Sequence, residues 1–222
     1  MVRAEKRHIL SSAILGLVIP IICSAQAEGP VSRPDLKAGD RWTYNLVDNW
    51  KKAVEYSFER VVTEVLPTEM KTTRTRKDNQ SVSPEIYKDA WTPRDIEGFN
   101  GRVRYLDDYA VLTFPLQPGK KYDVQSRTEN QSTGVTAVLD GKVEVIGWED
   151  VTVPAGKFKA LKIVVEGGYT RLDGNLLRGR YTSTAWYSSS VKNNVRFDHT
   201  DYDFAGRPYN KYTLELTQYK LQ

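Results

Sequence analysis

The stretch RWTYNLVD, residues 41–48, alternates apolar and polar side chains, and this two-residue period predicts a β-strand. Trp42, Tyr44 and Leu46 would point to one face of a sheet, and the residues between them to the other. The same period recurs near the C-terminus in YTLELTQYK, residues 212–220. Aromatic and β-branched side chains suit such strands because they pack against their cross-strand neighbours. The pattern indicates a sheet that buries one face.

Three further stretches alternate in the same way: KVEVIGWEDV (142–151), KFKALKIVV (157–165) and RYTSTAWYS (180–188). Turn signals separate them, at Asp140-Gly141, Pro154-Ala155-Gly156, Asp173-Gly174-Asn175 and Gly206-Arg207-Pro208. After residue 27 no apolar pattern with helical spacing exceeds two turns, although Ser83 could cap one short helical turn within residues 83–98. The sequence therefore predicts an all-β fold, either an antiparallel sandwich or a partly open barrel.

The first 27 residues have the layout of a secretory signal peptide. A basic start precedes an apolar run from Ile9 to Cys23, and small residues stand at Ala25 and Ala27. The run is shorter than the roughly 20 residues that a spanning helix needs, and two serines and a proline interrupt it. We predict cleavage after Ala27. Lipidation of Cys23 is the alternative, although isoleucine precedes it where a small residue would be expected.

The remaining residues, 28–222, are predicted to form one domain in the periplasm or outside the cell. Two stretches in it match at spaced positions: LKAGDRWTY (36–44) and LQPGKKYDV (116–124) share a leucine, a glycine, a charged pair and an aromatic residue. The match suggests two related β-halves, with an internal seam near the polar residues 73–84. No later apolar run is long enough to cross a membrane.

Cleavage would leave a chain with few reactive groups. Cys23 and His8 leave with the signal, so that His199 remains as the one histidine and no thiol or disulfide remains. A zinc site would then need carboxylates in place of the usual ligands. We predict no cofactor and no metal. The mature chain has 29 basic and 27 acidic residues, since three basic residues and one acidic residue are removed, and this balance gives no reason to expect a nucleic-acid partner.

Three Gly-Lys pairs, at 119–120, 141–142 and 156–157, raise the question of phosphate binding. A phosphate loop needs a glycine five residues earlier, Ser or Thr after the lysine, and a following helix. None of the three pairs meets these conditions. We interpret all three as turns that lead into strands.

The strongest polar cluster is RFDHTDYDF, residues 196–204. In a strand, His199, Asp201 and Asp203 would share one face, where they could bind a cation, or where a carboxylate could orient His199 as a general base. The alternative is an exposed polar face whose aspartates pair with cross-strand basic residues.

Two tryptophans are candidates for ligand recognition. Trp50 and Trp91 stand in polar surroundings beside predicted loops, where an indole could stack on a sugar ring or a partner. Trp42, Trp148 and Trp186 lie within alternating strands and are predicted to pack in the core.

Two segments carry a resemblance to a known family. Val153, Pro154, Ala155, Gly156 and Phe158 fit a Val-Pro-Ala-Gly-x-Phe turn. A Trp-Tyr-x-Pro-x-Val segment that leads into a Val-Lys/Arg strand is matched by Trp186, Tyr187, Val191, Val195 and Arg196. LKAGDRWTY likewise looks like a Leu-x-x-Gly-x-x-Trp-x-Tyr opening. The chain is similar in these motifs to a bacterial periplasmic family known only as a domain of unknown function, with Ser189 in place of the motif's proline. The resemblance implies an all-β periplasmic domain and transfers no catalytic residue.

Together these observations predict an exported β-domain that binds an envelope ligand, whether glycan, lipid or protein, without catalysis. Two alternatives stay open: a carboxylate-dependent hydrolase, with or without a part for His199, and a structural subunit of an envelope assembly. Neither the partner nor the oligomeric state follows from the sequence.

Overall fold

The computed structural model describes residues 29–98, 101–173 and 177–222. Within these residues, twelve antiparallel strands form a closed barrel in which they follow one another in chain order, and β1 pairs with β12 to complete the ring. The strands are β1 (Arg41–Asp48), β2 (Ala53–Val65), β3 (Met70–Arg76), β4 (Val82–Lys88), β5 (Thr92–Gly98), β6 (Gly101–Tyr105), β7 (Lys121–Asn130), β8 (Thr136–Val153), β9 (Gly156–Arg171), β10 (Arg178–Ser188), β11 (Asn193–Tyr202) and β12 (Pro208–Lys220). The all-β prediction is confirmed as a barrel, and the sandwich alternative is not supported.

The short helical turn expected within residues 83–98 is wrong. This segment forms β4, β5 and the turn between them, because Glu85 and Tyr87 alternate inward and are buried. Among residues 29–98, 101–173 and 177–222, no helix has the length and apolar character needed to span a bilayer.

The predicted turns at residues 154–156 and 206–208 each lead from one strand into the first residue of the next. The turn at Asp173-Gly174-Asn175 falls partly outside the described residues, as does the whole of the predicted signal peptide. Of the three Gly-Lys pairs, Gly119 and Gly156 lie at turns with positive φ values of 81° and 133°.

The turn predicted at Asp140-Gly141 is wrong, because both residues lie inside β8. Gly141 is buried against the barrel interior, and a Cβ atom there would lie 2.8 Å from the hydroxyl oxygen of Tyr181. On β9, a Cβ on Gly167 would lie 2.1 Å from the carbonyl oxygen of Asp140. These glycines are therefore needed for close packing around Tyr181, and not for a turn.

Two turns of identical hydrogen bonding precede β1 and β7. Asp40 N–H donates to the Lys37 carbonyl, and Lys120 N–H donates to the Gln117 carbonyl. In each turn the glycine N–H donates a hydrogen bond to a backbone carbonyl on the second strand that follows, from Gly39 to Val62 and from Gly119 to Val145. The N–H groups of Val62 and Val145 in turn donate to the carbonyls of Asp40 and Lys120, respectively. If the chain is divided at these two turns, one half contains β1–β6 and the other contains β7–β12. The polar residues 73–84 form one hairpin of the continuous sheet, and the relatedness of the halves stays a prediction.

Longer segments cover one end of the barrel, which we call the loop end. Residues 29–40, 106–120 and 189–192 lie there, and buried apolar side chains from all three pack into the core. Trp42 and Trp91 meet edge to face at 5.1 Å between ring centroids. Their indole N–H groups donate to the carbonyls of residues 191 and 192, at 2.7 and 2.9 Å. We call the opposite end, where β1 passes into β2, the hairpin end.

We expect the Gly167→Ala substitution to lower the free energy of unfolding by about 1–3 kcal/mol, because the added methyl group overlaps the Asp140 carbonyl and the Tyr181 ring. Gly147→Ala on β8 is the matched control, since nothing lies within 4 Å of a Cβ there. Urea denaturation followed by tryptophan fluorescence measures both. Equal losses in the two variants would contradict the packing role of Gly167.

Candidate functional site

Polar and aromatic side chains collect in the barrel interior on β9 to β12, toward the hairpin end. We call this set the luminal cluster: Tyr169, Tyr181, Ser183, His199, Asp201, Tyr209, Asn210 and Tyr212. Side chains directly opposite each other in an antiparallel pair share a face of the sheet. Strand register therefore creates two adjacent rows, Ser183–His199–Tyr212 and Tyr181–Asp201–Asn210.

A chain of hydrogen bonds links the two rows. His199 Nδ1 lies 2.8 Å from Ser183 Oγ, and His199 Nε2 lies 3.0 Å from Asp201 Oδ1. The second carboxylate oxygen of Asp201 accepts a hydrogen bond from the Asn210 amide at 2.8 Å. Both ring nitrogens and both carboxylate oxygens are engaged, so each side chain is held in one orientation. The side chains of His199 and Asp201 keep 17% and 16% of their surface exposed, which leaves both within reach of solvent.

Aromatic rings enclose His199 within the barrel. The rings of Tyr181 and Phe197 stack on the imidazole at centroid distances of 5.9 and 6.0 Å, and Tyr212 lies at 5.2 Å. These ring contacts and the hydrogen bonds of the two ring nitrogens together hold the His199 imidazole in one plane.

Tyr181 anchors the cluster to β8. Its hydroxyl donates to the Asp140 carbonyl at 2.7 Å and is hydrogen-bonded to the hydroxyl of Tyr109. Burial raises the pKa of Tyr181 to about 12, so the phenol keeps its proton at physiological pH.

Tyr209 presents an aromatic face at the edge of the cluster. The residue is 54% exposed, and its hydroxyl donates to that of Tyr169 at 3.2 Å. The Tyr169 hydroxyl reaches across Gly179, where a side chain would block it, toward the carbonyl of Tyr202. Loss of hydration, the Tyr169 hydrogen bond and the nearby Asp201 charge raise the pKa of Tyr209 above its usual value, so its hydroxyl stays a donor.

A buried ion pair lies deeper in the barrel. Arg60 donates from Nε and Nη2 to the two carboxylate oxygens of Glu85, at 2.6 and 3.1 Å, and Glu85 has no exposed surface. The hydroxyls of Thr72 and Tyr87 donate to the same carboxylate. Burial alone would raise the pKa of Glu85, but the charge and hydrogen bonds of Arg60 and the charge of Arg74 outweigh it, and the pKa is lowered.

A second buried arginine separates this pair from the luminal cluster. Arg74 is 5% exposed, and its guanidinium lies 4.1 Å from the centroid of the Phe58 ring. It donates to the Glu97 carbonyl and to the Tyr56 hydroxyl, at 2.7 and 2.9 Å. Within the described residues its Nε has no hydrogen-bond partner.

The structure brings together His199 and Asp201 from the residues predicted by sequence, and separates Asp203 from them. Asp203 lies just beyond β11, where its carboxylate contacts Arg207 at 2.9 Å and accepts the backbone N–H groups of Ala205 and Arg207. These bonds lower the pKa of Asp203. No group of three or more metal-ligating side chains occurs in the described part of the chain.

The two candidate tryptophans lie at opposite ends of the barrel. Trp50 is in the turn between β1 and β2 and is 58% exposed. Trp91 belongs to the turn between β4 and β5, but its side chain packs into the core between Trp42 and Tyr87. The core prediction for Trp42 is confirmed, since it has no exposed surface.

Sequence reasoning missed Ser183, Asn210 and Tyr209. Ser183 and Asn210 occupy positions directly opposite His199 and Asp201 on neighbouring strands. Side-chain alternation could have shown which residues of each strand face the barrel interior. It could not have shown which of them lie opposite one another, because the strand register depends on turn lengths and bulges.

A groove of about 660 Å³ lies outside the barrel wall, where β5 and the chain leaving β6 diverge. Its lining is mostly charged: Glu69, Ile86, Lys88, Pro93, Arg94, Asp95, Arg104, Tyr105, Leu106, Asp107 and Asp108. Several of these charges already neutralise one another, including Lys88 with Asp108, and Asp95 with Arg104 at 3.5 Å. Because these side chains already form ion pairs with one another, few of the groove's charges are left to bind a ligand.

The fold and the cluster together define a closed antiparallel barrel with a packed interior and a polar, aromatic hairpin end. No family model matches the chain, and no curated protein matches its sequence.

Solved structures nevertheless share the fold. A candidate lipoprotein from Parabacteroides distasonis is 15% identical with a TM-score of 0.57, and the match covers 87% of this chain and 100% of that one. A candidate exported protein with YmcC-like fold from Bacteroides fragilis is 15% identical with a TM-score of 0.56, covering 86% and 100%. Identities this low show the fold alone. The motifs that resemble the periplasmic family are not confirmed by these matches.

We expect Glu85→Gln to lower the free energy of unfolding by about 3–5 kcal/mol at pH 7, because Arg60 would remain buried without its counter-charge. The pKa of Glu85 is lowered in the folded state, so its stabilisation is complete above the unfolded pKa of about 4.3 and is lost as pH falls through the folded value. The difference between wild type and variant should therefore shrink at pH 3.

Glu64→Gln serves as the control, since it removes the exposed pair with Lys71 and should change stability by about 0–1 kcal/mol. Urea denaturation at pH 7 and pH 3 measures all three proteins. A Glu85→Gln loss that does not depend on pH would contradict the assignment.

Proposed function

We propose that this chain is an exported, non-catalytic barrel of the bacterial envelope that binds a hydroxyl-rich ligand at the luminal cluster. The ligand is a glycan, free or as the sugar headgroup of a lipid. The observation that carries the proposal is the exposed ring of Tyr209 beside the hydrogen-bonded pair of Asp201 and Asn210.

Sugar chemistry suits this combination of groups. The C–H face of a sugar ring stacks on an exposed aromatic ring, and its hydroxyls both donate and accept hydrogen bonds. Asp201 offers acceptors, Asn210 offers both a donor and an acceptor, and the Tyr209 hydroxyl, whose proton is donated to Tyr169, offers an acceptor. A few convergent polar groups beside an aromatic surface are typical of small-ligand sites.

The cluster is also ordered before any ligand arrives. The chain from Ser183 through His199 and Asp201 to Asn210 holds the polar groups in place, and stacked rings hold the imidazole. A prearranged site loses less conformational entropy on binding.

Export is supported by the leader and by the two fold neighbours. The first 27 residues have the signal-peptide layout described above, and the neighbours are a candidate lipoprotein and a candidate exported protein. We expect the protein isolated from the cell envelope to begin at Glu28, as measured by intact mass and N-terminal sequencing. A product that begins at a lipid-modified Cys23 would show that the chain is anchored to a membrane and is not cleaved after Ala27. A cytosolic product that retains Met1 would contradict export.

One observation favours a hydrolase as the second candidate function. Ser183, His199 and Asp201 form a hydrogen-bonded series with the residue types of a serine hydrolase. The geometry argues against catalysis, because Ser183 is buried and is paired in the sheet on both sides, with Val165 and His199. Its backbone N–H is therefore committed to the sheet and cannot stabilise an oxyanion.

We expect Tyr209→Ala to weaken glycan binding by about tenfold or more, because the stacking surface and one hydrogen-bonding hydroxyl are lost together. Tyr219→Ala is the matched control, since Tyr219 is an exposed tyrosine on the same strand at the loop end. Fluorescence titration with peptidoglycan glycan chains and with lipopolysaccharide core oligosaccharide measures the affinity. Equal weakening by both variants, or no binding of either glycan, would contradict the proposal.

A turnover assay with p-nitrophenyl esters separates binding from catalysis. We expect no hydrolysis above the uncatalysed rate. Hydrolysis that both Ser183→Ala and His199→Ala abolish would establish the second candidate instead. Recovery of the protein in a stable complex, without glycan affinity, would favour a structural subunit.

A further inference from the structure

Two hairpin turns lie side by side at the hairpin end and form one surface. Arg180 on β10 is paired with Tyr202 on β11, and the Arg180 guanidinium lies 3.1 Å from the position that a Cβ of Gly206 would occupy. We define the paired tips as residues 171–173 and 177–180 of one hairpin and residues 202–207 of the other. From their composition we propose that the paired tips dock on the surface of an anionic phospholipid bilayer.

Large apolar side chains stand exposed on the paired tips. Phe204 is 80% exposed, which is unusual for a phenylalanine, and Leu177 and Leu172 are 49% and 48% exposed. Isolated exposed apolar residues are normal on protein surfaces, but a group on adjacent turns marks a site of interaction.

The turn holds Phe204 in this exposed position. The Asp203 carboxylate accepts hydrogen bonds from the N–H groups of Ala205 and Arg207, each at 2.9 Å. Gly206 has a φ of 77° and donates its N–H to the Asp203 carbonyl. The side chain is therefore presented by an ordered turn, and its exposure does not come from a lack of local structure.

The charge of the paired tips favours an anionic partner. Four arginines, at 171, 178, 180 and 207, face two aspartates, at 173 and 203, which leaves a net charge of +2. Arg171 pairs with Asp173, and Arg207 with Asp203. Within the described residues, Arg178 and Arg180 have no carboxylate partner and remain available for phosphate groups.

The shape of the surface favours a bilayer over a protein partner. Three apolar side chains on two turns offer much less than the roughly 800 Å² that each partner contributes to a stable protein interface. Insertion of a few apolar groups below lipid headgroups, with arginines at the phosphate level, needs no matching rigid surface. The proposal does not depend on ligand binding by the luminal cluster.

Vesicle flotation with the purified protein tests the proposal. We expect binding to vesicles of phosphatidylcholine mixed with phosphatidylglycerol and little binding to phosphatidylcholine alone, with weakening at high salt. Phe204→Ser should reduce the partition coefficient by about tenfold or more, because its ring no longer enters the interface. The double variant Arg178→Gln, Arg180→Gln should reduce it by a similar factor and remove the preference for anionic vesicles.

Leu106→Ser provides the matched control for Leu177→Ser. Both leucines are 49% exposed, but Leu106 lies near the loop end, so only Leu177→Ser should weaken binding. Thermal melts verify that each variant is folded. Equal binding to both kinds of vesicle, or equal weakening by both leucine variants, would overturn the proposal.

Absence of vesicle binding would also overturn the proposal, and self-association that Phe204→Ser abolishes would assign the paired tips to a second copy of the chain. Glycan affinity measured on the same samples reports separately on the luminal cluster, so a failure of one proposal is distinguishable from a failure of the other.

Discussion

The pairing of β1 with β12 closes the sheet, and the rest of the structure depends on filling the interior that this closure encloses. An eight-stranded barrel is just filled by ordinary side chains, and twelve strands enclose a wider space. This chain fills it with large groups: tryptophans near the loop end, the arginines Arg60 and Arg74, and tyrosines toward the hairpin end. Glycines at 141, 167 and 179 give those tyrosines the room that they need. The same interior side chains therefore provide both the close packing of the barrel and its polar groups.

Burying a polar side chain inside a barrel costs free energy unless the side chain is hydrogen-bonded or paired with an opposite charge. Glu85 is fully buried and is matched by Arg60, Thr72 and Tyr87, so the carboxylate can stay ionised. Nearer the hairpin end, the same requirement produces the hydrogen-bonded series through His199 and Asp201. These side chains satisfy one another's hydrogen-bonding groups and are partly exposed to solvent. They can therefore exchange some of their mutual hydrogen bonds for hydrogen bonds to a ligand. For this reason a structural network at the edge of the barrel also suits the binding of a ligand.

The turns that precede β1 and β7 share three hydrogen bonds of identical pattern. Counted from these turns, the first six strands hold Arg60 and Arg74, and the last six hold the luminal cluster and the paired tips. The fold is shared with exported and lipoprotein candidates at 15% identity, where few side chains are held in common. What this chain does must therefore be sought in its own residues, and the hairpin end concentrates the exposed aromatic and uncompensated basic groups.

The sequence by itself determined the β-character of the chain, because side-chain alternation is a local property that any neighbouring strand must respect. It also predicted the core position of Trp42 and placed His199 and Asp201 on one face. It misread Asp140-Gly141 as a turn, because a glycine selected for contact with Tyr181 looks the same as one selected for a positive φ. It placed Asp203 with His199, although the strand ends one residue earlier. Closure into a barrel, the pairing of Ser183 with His199 and the burial of Trp91 were decided only by tertiary structure, because register and contacts between distant segments depend on the whole ring of strands.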